Sequence, residues 1–152
     1  YTFMQDARGQ RPWLAYAPVQ TDKTAGSIKE LTREMDEFLS SAPARQEELD
    51  KSVRNNVNSL PGQFETAGAV LNALLSNDRF GRPDSYISSL KRRYEAVDLS
   101  GVHAAAQQVI HPENLIWLIV GDLEQIEQQI RDLELGDVQI IDEDGKPIPA
   151  SD

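Results

Sequence analysis

The chain has 152 residues, of which 39% are hydrophobic and none is cysteine, and its formal net charge is −10 at pH 7. This length suits one globular domain. The charge argues against binding along a polyanion such as nucleic acid, and the absence of cysteine excludes disulfides, cysteine–zinc sites and thiol catalysis. The longest apolar run, Leu115–Val120, has the length of a buried strand and is far shorter than the roughly 20 residues that span a membrane.

A β-hairpin is predicted at the start of the chain. The first strand is Tyr1–Met4 and the second is Trp13–Val19, and Asp6 and Gly9 between them suit a turn. Apolar side chains occupy both faces of the second strand, which predicts that both faces are covered. The chain begins inside the first strand with no initiator methionine, so we expect it to be a piece of a larger protein.

Six helices are predicted, each with an apolar face at helical spacing. They cover residues 23–39, 44–59, 64–75, 84–95, a short segment capped by Ser100 that ends at Val109, and residues 123–133. The first helix has the clearest stripe, and we expect this stripe to pack on a sheet. The stripe consists of Ile28, Leu31, Met35, Phe38 and Leu39.

Two more strands are predicted near the end of the chain. The apolar run Leu115–Val120 predicts a central strand, and Val138–Ile141 predicts a fourth strand. Residues 142–152 contain two prolines and five charges and are predicted to form an irregular tail. This order of elements predicts an α+β fold in which helices cover a small mixed β-sheet, within a single domain that spans residues 1–152.

Metal chemistry has little support in the residue pattern. A catalytic zinc ion needs three protein ligands and an open position. The two histidines are His103, on a predicted helix, and His111, in the turn before the third strand. No His-x-x-x-His or His-x-x-Glu-His occurs, and there is also no Gly-x-Ser-x-Gly elbow or phosphate-binding loop. We therefore predict surface or capping roles for both histidines.

Two further groups of residues have structural interpretations that outweigh the functional ones. Gly121–Asp122 stands between a predicted strand and a helix, as in a phosphate-binding turn. A single glycine followed by an acid is the wrong composition for an anion site, so the pair is interpreted as a strand exit and a helix cap. The basic run Lys91–Arg93 is interpreted as the solvated face of a helix.

The hairpin offers another candidate for ligand contact. Arg8, Arg11 and Tyr16 could bind a peptide carbonyl or carboxylate. A charged hairpin rim is the favoured interpretation of the same residues. The sequence therefore assigns no catalytic, cofactor-binding or metal-binding residue.

Seven segments occur in an order that resembles a known family. They are Thr2–Pro12, Ala15–Thr24, Glu47–Leu49, Ser59–Thr66, Arg82–Tyr86, Ile110–Leu115 and Val120–Asp122. The ordered set, rather than any one segment, resembles the C-terminal domain of the M16 metallopeptidases, the insulinase, pitrilysin and processing-peptidase family. The likeness extends over nearly the whole chain.

The resemblance implies a fold and a role. It implies an M16/LuxS-like domain that lacks its N-terminal portion, and a parent protein that is a zinc metalloendopeptidase. In this family an inverted His-x-x-Glu-His motif in an N-terminal domain holds the zinc, so we expect no cofactor in this chain. The C-terminal domain forms a wall of the substrate chamber and supplies an Arg/Tyr pair just before the hairpin. Tyr1 falls just past that pair, so no catalytic residue is carried over.

The resemblance also implies partners and a location. The expected partners are the N-terminal catalytic domain or a partner subunit, and a peptide substrate, with no nucleic acid and no membrane span. The incomplete sheet is expected to self-associate through its edge. The family suggests the periplasm or cell envelope of a bacterium. Two alternatives stay open, a degenerate structural or assembly module and an unrelated small α/β enzyme, and the reading frame upstream of Tyr1 would distinguish them.

Overall fold

A computed structural model of the chain describes residues 1–148. Within this range the fold is α+β, with six helices and one two-stranded antiparallel sheet. The strands are β1 (Thr2–Met4) and β2 (Trp13–Ala15), and the helices are α1 (Thr24–Leu39), α2 (Gln46–Ser59), α3 (Ala67–Arg79), α4 (Tyr86–Glu95), α5 (Leu99–Val109) and α6 (Leu123–Arg131). Short 3-10 turns cover Thr21–Lys23, Pro61–Phe64 and Pro112–Asn114.

The six predicted helices are confirmed, with shifts at their ends that follow from local capping. The predicted cap of α5 at Ser100 is wrong, because the carboxylate of Asp98 accepts a hydrogen bond from the Gly101 backbone N–H at 2.7 Å. The hydroxyl of Thr66 caps α3 in the same way, accepting from the Ala69 N–H at 3.1 Å. These side chains satisfy backbone donors that a helix start otherwise leaves unpaired.

The predicted hairpin forms, but its second strand is shorter than expected. β1 and β2 pair with Thr2 opposite Ala15, Phe3 opposite Leu14 and Met4 opposite Trp13. The predicted strand Trp13–Val19 therefore ends at Ala15. The prediction that both of its faces are covered is wrong, since Leu14 is exposed and Trp13 is only half-buried.

The predicted central strand Leu115–Val120 is wrong. No segment within residues 1–148 pairs with it, because the one ladder in this range joins β1 and β2. Its side chains nevertheless alternate as on a strand: Ile116, Leu118 and Val120 are 96%, 76% and 92% exposed, while the residues between them are half-buried. The segment thus has the alternating exposure of a strand but no ladder partner among residues 1–148.

The predicted fourth strand Val138–Ile141 is also wrong, and with it the mixed sheet. Only one isolated antiparallel bridge occurs there, between Ile141 and Pro147. It closes a turn in which the Asp142 carboxylate accepts from the backbone N–H of Lys146 at 2.8 Å. Residues 149–152 of the predicted tail lie outside the described residues.

The described chain divides into two compact units. The first unit comprises Tyr1–Ala17 and Arg33–Leu115, and the second comprises Pro18–Thr32 with the described residues from Ile116 onward. In the first unit α2 packs against α4, and Met35 of the predicted apolar stripe is buried.

The second unit has a small core of its own. The 3-10 turn at Thr21–Lys23 packs against α6, and Ile28 and Ile126 are each 5% exposed. A Cβ atom at Gly121 would lie 3.1 Å from the Cδ1 atom of Ile126, so a side chain there would require Ile126 to shift by a few tenths of an ångström. None of the helices within residues 1–148 has both the length and the apolar character needed to cross a membrane.

Candidate functional site

An arginine-lined cleft lies in the first unit, where the connection between β1 and β2 meets the end of α3. Its volume is about 540 Å³. Four of the side chains that line it are guanidinium groups and one is a carboxylate. The lining residues are Asp6, Ala7, Arg8, Gly9, Arg11, Arg79, Phe80 and Arg82. We call this feature the arginine cleft.

The end of α3 places two of these arginines. Gly81 has a φ of 60°, a left-handed conformation that glycine adopts without the penalty other residues incur. Its N–H donates to the Asp78 carbonyl at 3.1 Å, and the Arg82 N–H donates to the Asn77 carbonyl at 2.8 Å. This pair of bonds is a Schellman motif, which ends the helix and reverses the chain. Arg79 and Arg82 thus flank a sharp turn.

The hairpin connection contributes the other two arginines and is tied to α3. The Nε of Arg8 donates to the Arg79 carbonyl at 2.7 Å, which satisfies one of the carbonyls that the helix end leaves free. The Asp6 carboxylate accepts from Arg11 at 3.3 Å through one oxygen and from Arg82 at 3.2 Å through the other. One carboxylate therefore bridges an arginine of the hairpin and an arginine of the α3 turn.

Two aromatic rings, those of Phe80 and Tyr86, pack against the arginines of the α3 turn and of α4. The Arg82 guanidinium lies 4.9 Å from the centre of the Phe80 ring and 4.6 Å from that of Tyr86. Arg79 lies 5.3 Å from the Phe80 ring, and Arg93 lies 5.0 Å from the Tyr86 ring. Such cation–π contacts contribute about 0.5–1 kcal/mol each at exposed sites. Arg82 is the residue that joins hairpin, α3 turn and α4, and its side chain is only 23% exposed.

The arginine cleft is chemically suited to binding an anion. Its lining offers guanidinium donors in number, and guanidinium is the group that matches a planar carboxylate with two parallel bonds. The lining contains no histidine, serine, threonine or lysine. Asp6 is its one acid, and both of its oxygens accept from arginine. No nucleophile–base pair is present in the cleft.

Two of the three hairpin residues named from the sequence line this cleft, and one does not. Arg8 and Arg11 are exposed and belong to it, whereas the Tyr16 ring packs on Tyr1 with ring centres 5.4 Å apart. Arg79 and Arg82 were missed by the sequence analysis. Two arginines on either side of Phe-Gly at a helix end are the signal that would have pointed to them.

The two histidines occupy separate local settings in the first unit. His103 Nε2 lies 3.1 Å from the Ala44 carbonyl oxygen and lines a smaller cleft of about 240 Å³. His111 Nε2 lies 3.1 Å from the Gln108 carbonyl oxygen, and its Nδ1 lies 3.6 Å from Glu113. In the part of the chain that the structure describes, no three His, Asp or Glu side chains cluster as metal ligands do.

The remaining sequence candidates are placed as follows. Lys91–Arg93 is exposed on α4, as predicted for a solvated helix face, and Lys91 pairs with Glu95 at 3.8 Å. Asp122 occupies the N-cap position of α6, as predicted, but its carboxylate accepts from the side chain of Gln125 rather than from a backbone N–H. The strand exit predicted at Gly121 is wrong, because the preceding segment has no ladder partner.

Clear pKa shifts occur at two exposed ion pairs outside the cleft lining. A hydrogen bond and ion pair with Lys23 lowers the pKa of Asp22. Hydrogen bonds from the Arg45 side chain and then from the Arg45 backbone N–H lower the pKa of Glu48. Both pairs are local helix-start contacts and indicate no reactive group.

Comparison of the chain with protein-family models, with curated proteins and with solved structures found no match. The M16 resemblance therefore stays a prediction.

Proposed function

We propose that this chain is a non-catalytic C-terminal domain of an M16-like zinc peptidase, with an M16/LuxS-like fold. Its role would be to form part of the substrate-chamber wall and the interface with the catalytic domain or a partner subunit. The seven ordered sequence segments support the family assignment. They span the hairpin, the starts of α2 and α3, the α3–α4 turn and the approach to α6.

The observation that carries the interface role is the segment Leu115–Val120. It alternates as a strand does, yet three of its large apolar side chains are 76–96% exposed and no strand within residues 1–148 pairs with it. Unpaired strand backbone readily pairs with another chain, and large exposed apolar patches mark interaction sites. A neighbouring domain or subunit that supplies strands would satisfy both the backbone and the side chains.

The first unit has an apolar surface that supports the same role. Leu71, Leu74 and Leu75 on α3 are 56%, 56% and 57% exposed. Their spacing of three and four residues places them on one face of the helix. Each unit therefore presents a surface suited to burial against another domain.

The complete gene and its protein product test this proposal. We expect its reading frame, or an adjacent one, to encode His-x-x-Glu-His, and the assembled protein to bind zinc and cleave peptides. Residues 1–152 alone should do neither. A frame without any such motif would contradict the peptidase assignment, and a degenerate motif would favour a structural module.

The interface is tested separately with the two parts produced as separate chains. Residues 1–152 should bind the upstream part in size-exclusion chromatography. Leu118→Asp should abolish the complex, because it places a charge on the exposed apolar face. The matched control Gln139→Asp adds the same charge at an exposed polar position of the second unit and should leave the complex intact. Equal effects of the two variants would contradict the interface.

A further inference from the structure

We propose that the arginine cleft binds the side-chain carboxylates of an acidic peptide segment. The proposal depends on the cleft alone and holds whether or not the chain belongs to a peptidase. It differs from the charged-rim interpretation in assigning a ligand class and the residues that contact it.

The first argument is charge. The cleft is lined by four arginines and one aspartate, in a chain whose formal net charge is −10. Like charges placed together in a folded protein repel each other, and an opposite charge relieves the repulsion. Asp6 provides part of that relief by bridging Arg11 and Arg82. A second carboxylate would neutralise the arginines that Asp6 does not reach.

The second argument is the supply of donors. Arg8 uses its Nε on the Arg79 carbonyl, and its terminal N–H groups donate to no other described residue. The Arg79 guanidinium stacks on Phe80, and no acceptor among residues 1–148 pairs with it. Because the Arg8 Nε donates to the Arg79 carbonyl, the Arg8 guanidinium lies beside the backbone from which the Arg79 side chain extends. We expect the two guanidinium groups to share one incoming carboxylate, as Arg11 and Arg82 already share Asp6.

The third argument favours a peptide over other anions. Gly9 has no other atom within 4 Å of a notional Cβ, which leaves room for a bound chain, and Phe80 and Ala7 offer apolar surface to the methylene groups of glutamate. Arginine clusters are a recurring means of recognising acidic peptide motifs. A long polyanion or an anionic membrane would be repelled by the rest of the chain at −10, whereas a short peptide with a few acids meets only the cleft.

Calorimetric titration with two blocked peptides tests the proposal: a glycine-flanked run of glutamates, and the same peptide with glutamine in place of glutamate. We expect the glutamate peptide to bind about tenfold or more tightly than the glutamine peptide, the factor typical of a charge-assisted contact. Raising the salt from about 0.05 M to about 0.3 M should weaken binding, because the contacts are exposed.

Variants locate the site. Arg79→Gln should weaken the glutamate peptide about tenfold, and Arg79→Lys should restore only part of the loss, because lysine lacks the planar pair of donors. Arg79 donates no side-chain hydrogen bond within residues 1–148, so Arg79→Gln should lower the urea midpoint only slightly, through the loss of its contact with the Phe80 ring. Arg54→Gln is the matched control, since it removes the same charge from the exposed surface of α2.

Four outcomes would overturn the proposal. They are equal affinity for the two peptides, equal losses in Arg79→Gln and Arg54→Gln, full affinity in Arg79→Gln, and binding of inorganic phosphate as tight as that of the glutamate peptide. The last outcome would make the cleft a general anion site and not a peptide site. None of these results depends on zinc or on peptide cleavage, so the peptidase proposal and this one can fail independently.

Discussion

The hairpin β1–β2 and the apolar segment Leu115–Val120 were both predicted as strands, but within residues 1–148 only the hairpin has its backbone paired. Tyr1 and Tyr16 exchange two backbone hydrogen bonds of 2.9 Å, and the Gln5 N–H donates to the Pro12 carbonyl at 3.1 Å. Leu115–Val120 is more apolar than either hairpin strand and has the stronger intrinsic preference for a strand. It has no ladder partner among residues 1–148.

A nearby partner therefore decides whether an apolar segment of this kind becomes a strand. β2 begins nine residues after β1 ends, so closing the loop costs little entropy and each bond formed is local. An apolar run without such a neighbour keeps the alternating exposure of a strand but gains none of its hydrogen bonds. Intrinsic preference predicts the alternating exposure of Leu115–Val120 and not its pairing.

The largest expected effect comes from comparing two isoleucines in the second unit. Ile126→Ala should destabilise the fold by about 2–5 kcal/mol, because Ile126 is 5% exposed and its loss leaves a cavity. Ile116→Ala removes the same atoms from a residue that is 96% exposed and should change stability by less than about 0.5 kcal/mol. Urea unfolding measures both. Similar losses would mean that Leu115–Val120 is part of the core.

Hydrogen exchange measures the backbone difference directly. Phe3 and Leu14 lie opposite each other two positions from the bonded Tyr1–Tyr16 pair, so the alternation of an antiparallel ladder makes them a bonded pair as well. Their amides should exchange about tenfold more slowly than in an unstructured chain. The amides of Ile116 and Leu118 should exchange at unprotected rates. Protection of these two amides in the isolated chain would show that they have a partner and would remove the distinction between the two regions.

Arg82→Ala should loosen the hairpin selectively. The change removes the ion pair with Asp6 and two ring contacts, and we expect a loss of about 1–2 kcal/mol. Amides of β1 and β2 should lose protection more than those of α2. Arg93→Ala serves as the control, because Arg93 contacts one ring and no residue of the hairpin. Equal effects from the two changes would mean that Arg82 does not anchor the hairpin.

Two glycine substitutions should have opposite signs. Gly81→Ala should destabilise by about 1 kcal/mol, because alanine is strained at the left-handed φ of 60°. Gly26→Ala, in the first part of α1 with nothing within 4 Å of its notional Cβ, should stabilise by about 0.5–1 kcal/mol. Thermal unfolding distinguishes them. A stabilising Gly81→Ala would contradict the helix-ending motif that positions Arg82.

The smallest expected effect is a pH dependence at the start of α2. Glu48 accepts from the Arg45 backbone N–H at 2.9 Å and from its guanidinium at 3.1 Å, which lowers the pKa of Glu48 in the folded state. Because the pKa of Glu48 is lower in the folded state, the contact stabilises the protein fully above the unfolded pKa of about 4.3. The stabilisation is lost as the pH falls through the pKa of the folded state.

In Glu48→Gln the hydrogen-exchange protection of the α2 amides should therefore fall less between about pH 5 and about pH 3 than it does in the unsubstituted protein. Glu47→Gln, one residue earlier, is the matched control and should leave that loss unchanged, because Arg45 bonds Glu48. The same response in both variants would mean that general charge, and not this contact, sets the pH dependence.

The helices and the hairpin could be predicted because their determinants are local. The apolar spacing in α1 and the turn residues between β1 and β2 act within a few positions of one another. The cap at Thr66 is equally local, but it was not recognised, and the start of α3 was predicted three residues too early. The two later strands could not be predicted correctly. A run such as Leu115–Val120 indicates an extended conformation, but the identity of its neighbour is not encoded within the run.

The arginine cleft was only half predictable for a similar reason. Arg8 and Arg11 stand beside a recognisable turn, whereas their partners lie far along the chain: Arg8 meets Arg79 across 71 residues, and Asp6 meets Arg82 across 76. Charge and turn chemistry identify each half separately. Their meeting depends on the path of α2 and α3, which periodicity alone does not fix.

The two tryptophans of the chain are divided between the two units, with Trp13 in the first and Trp117 in the second. Each unit therefore carries its own intrinsic fluorophore. In Trp117→Phe the emission reports on the hairpin alone, and in Trp13→Phe it reports on the exposed apolar segment alone. Denaturation curves that coincide in the two variants would indicate that the units unfold as one cooperative body, and curves that separate would give each unit its own stability.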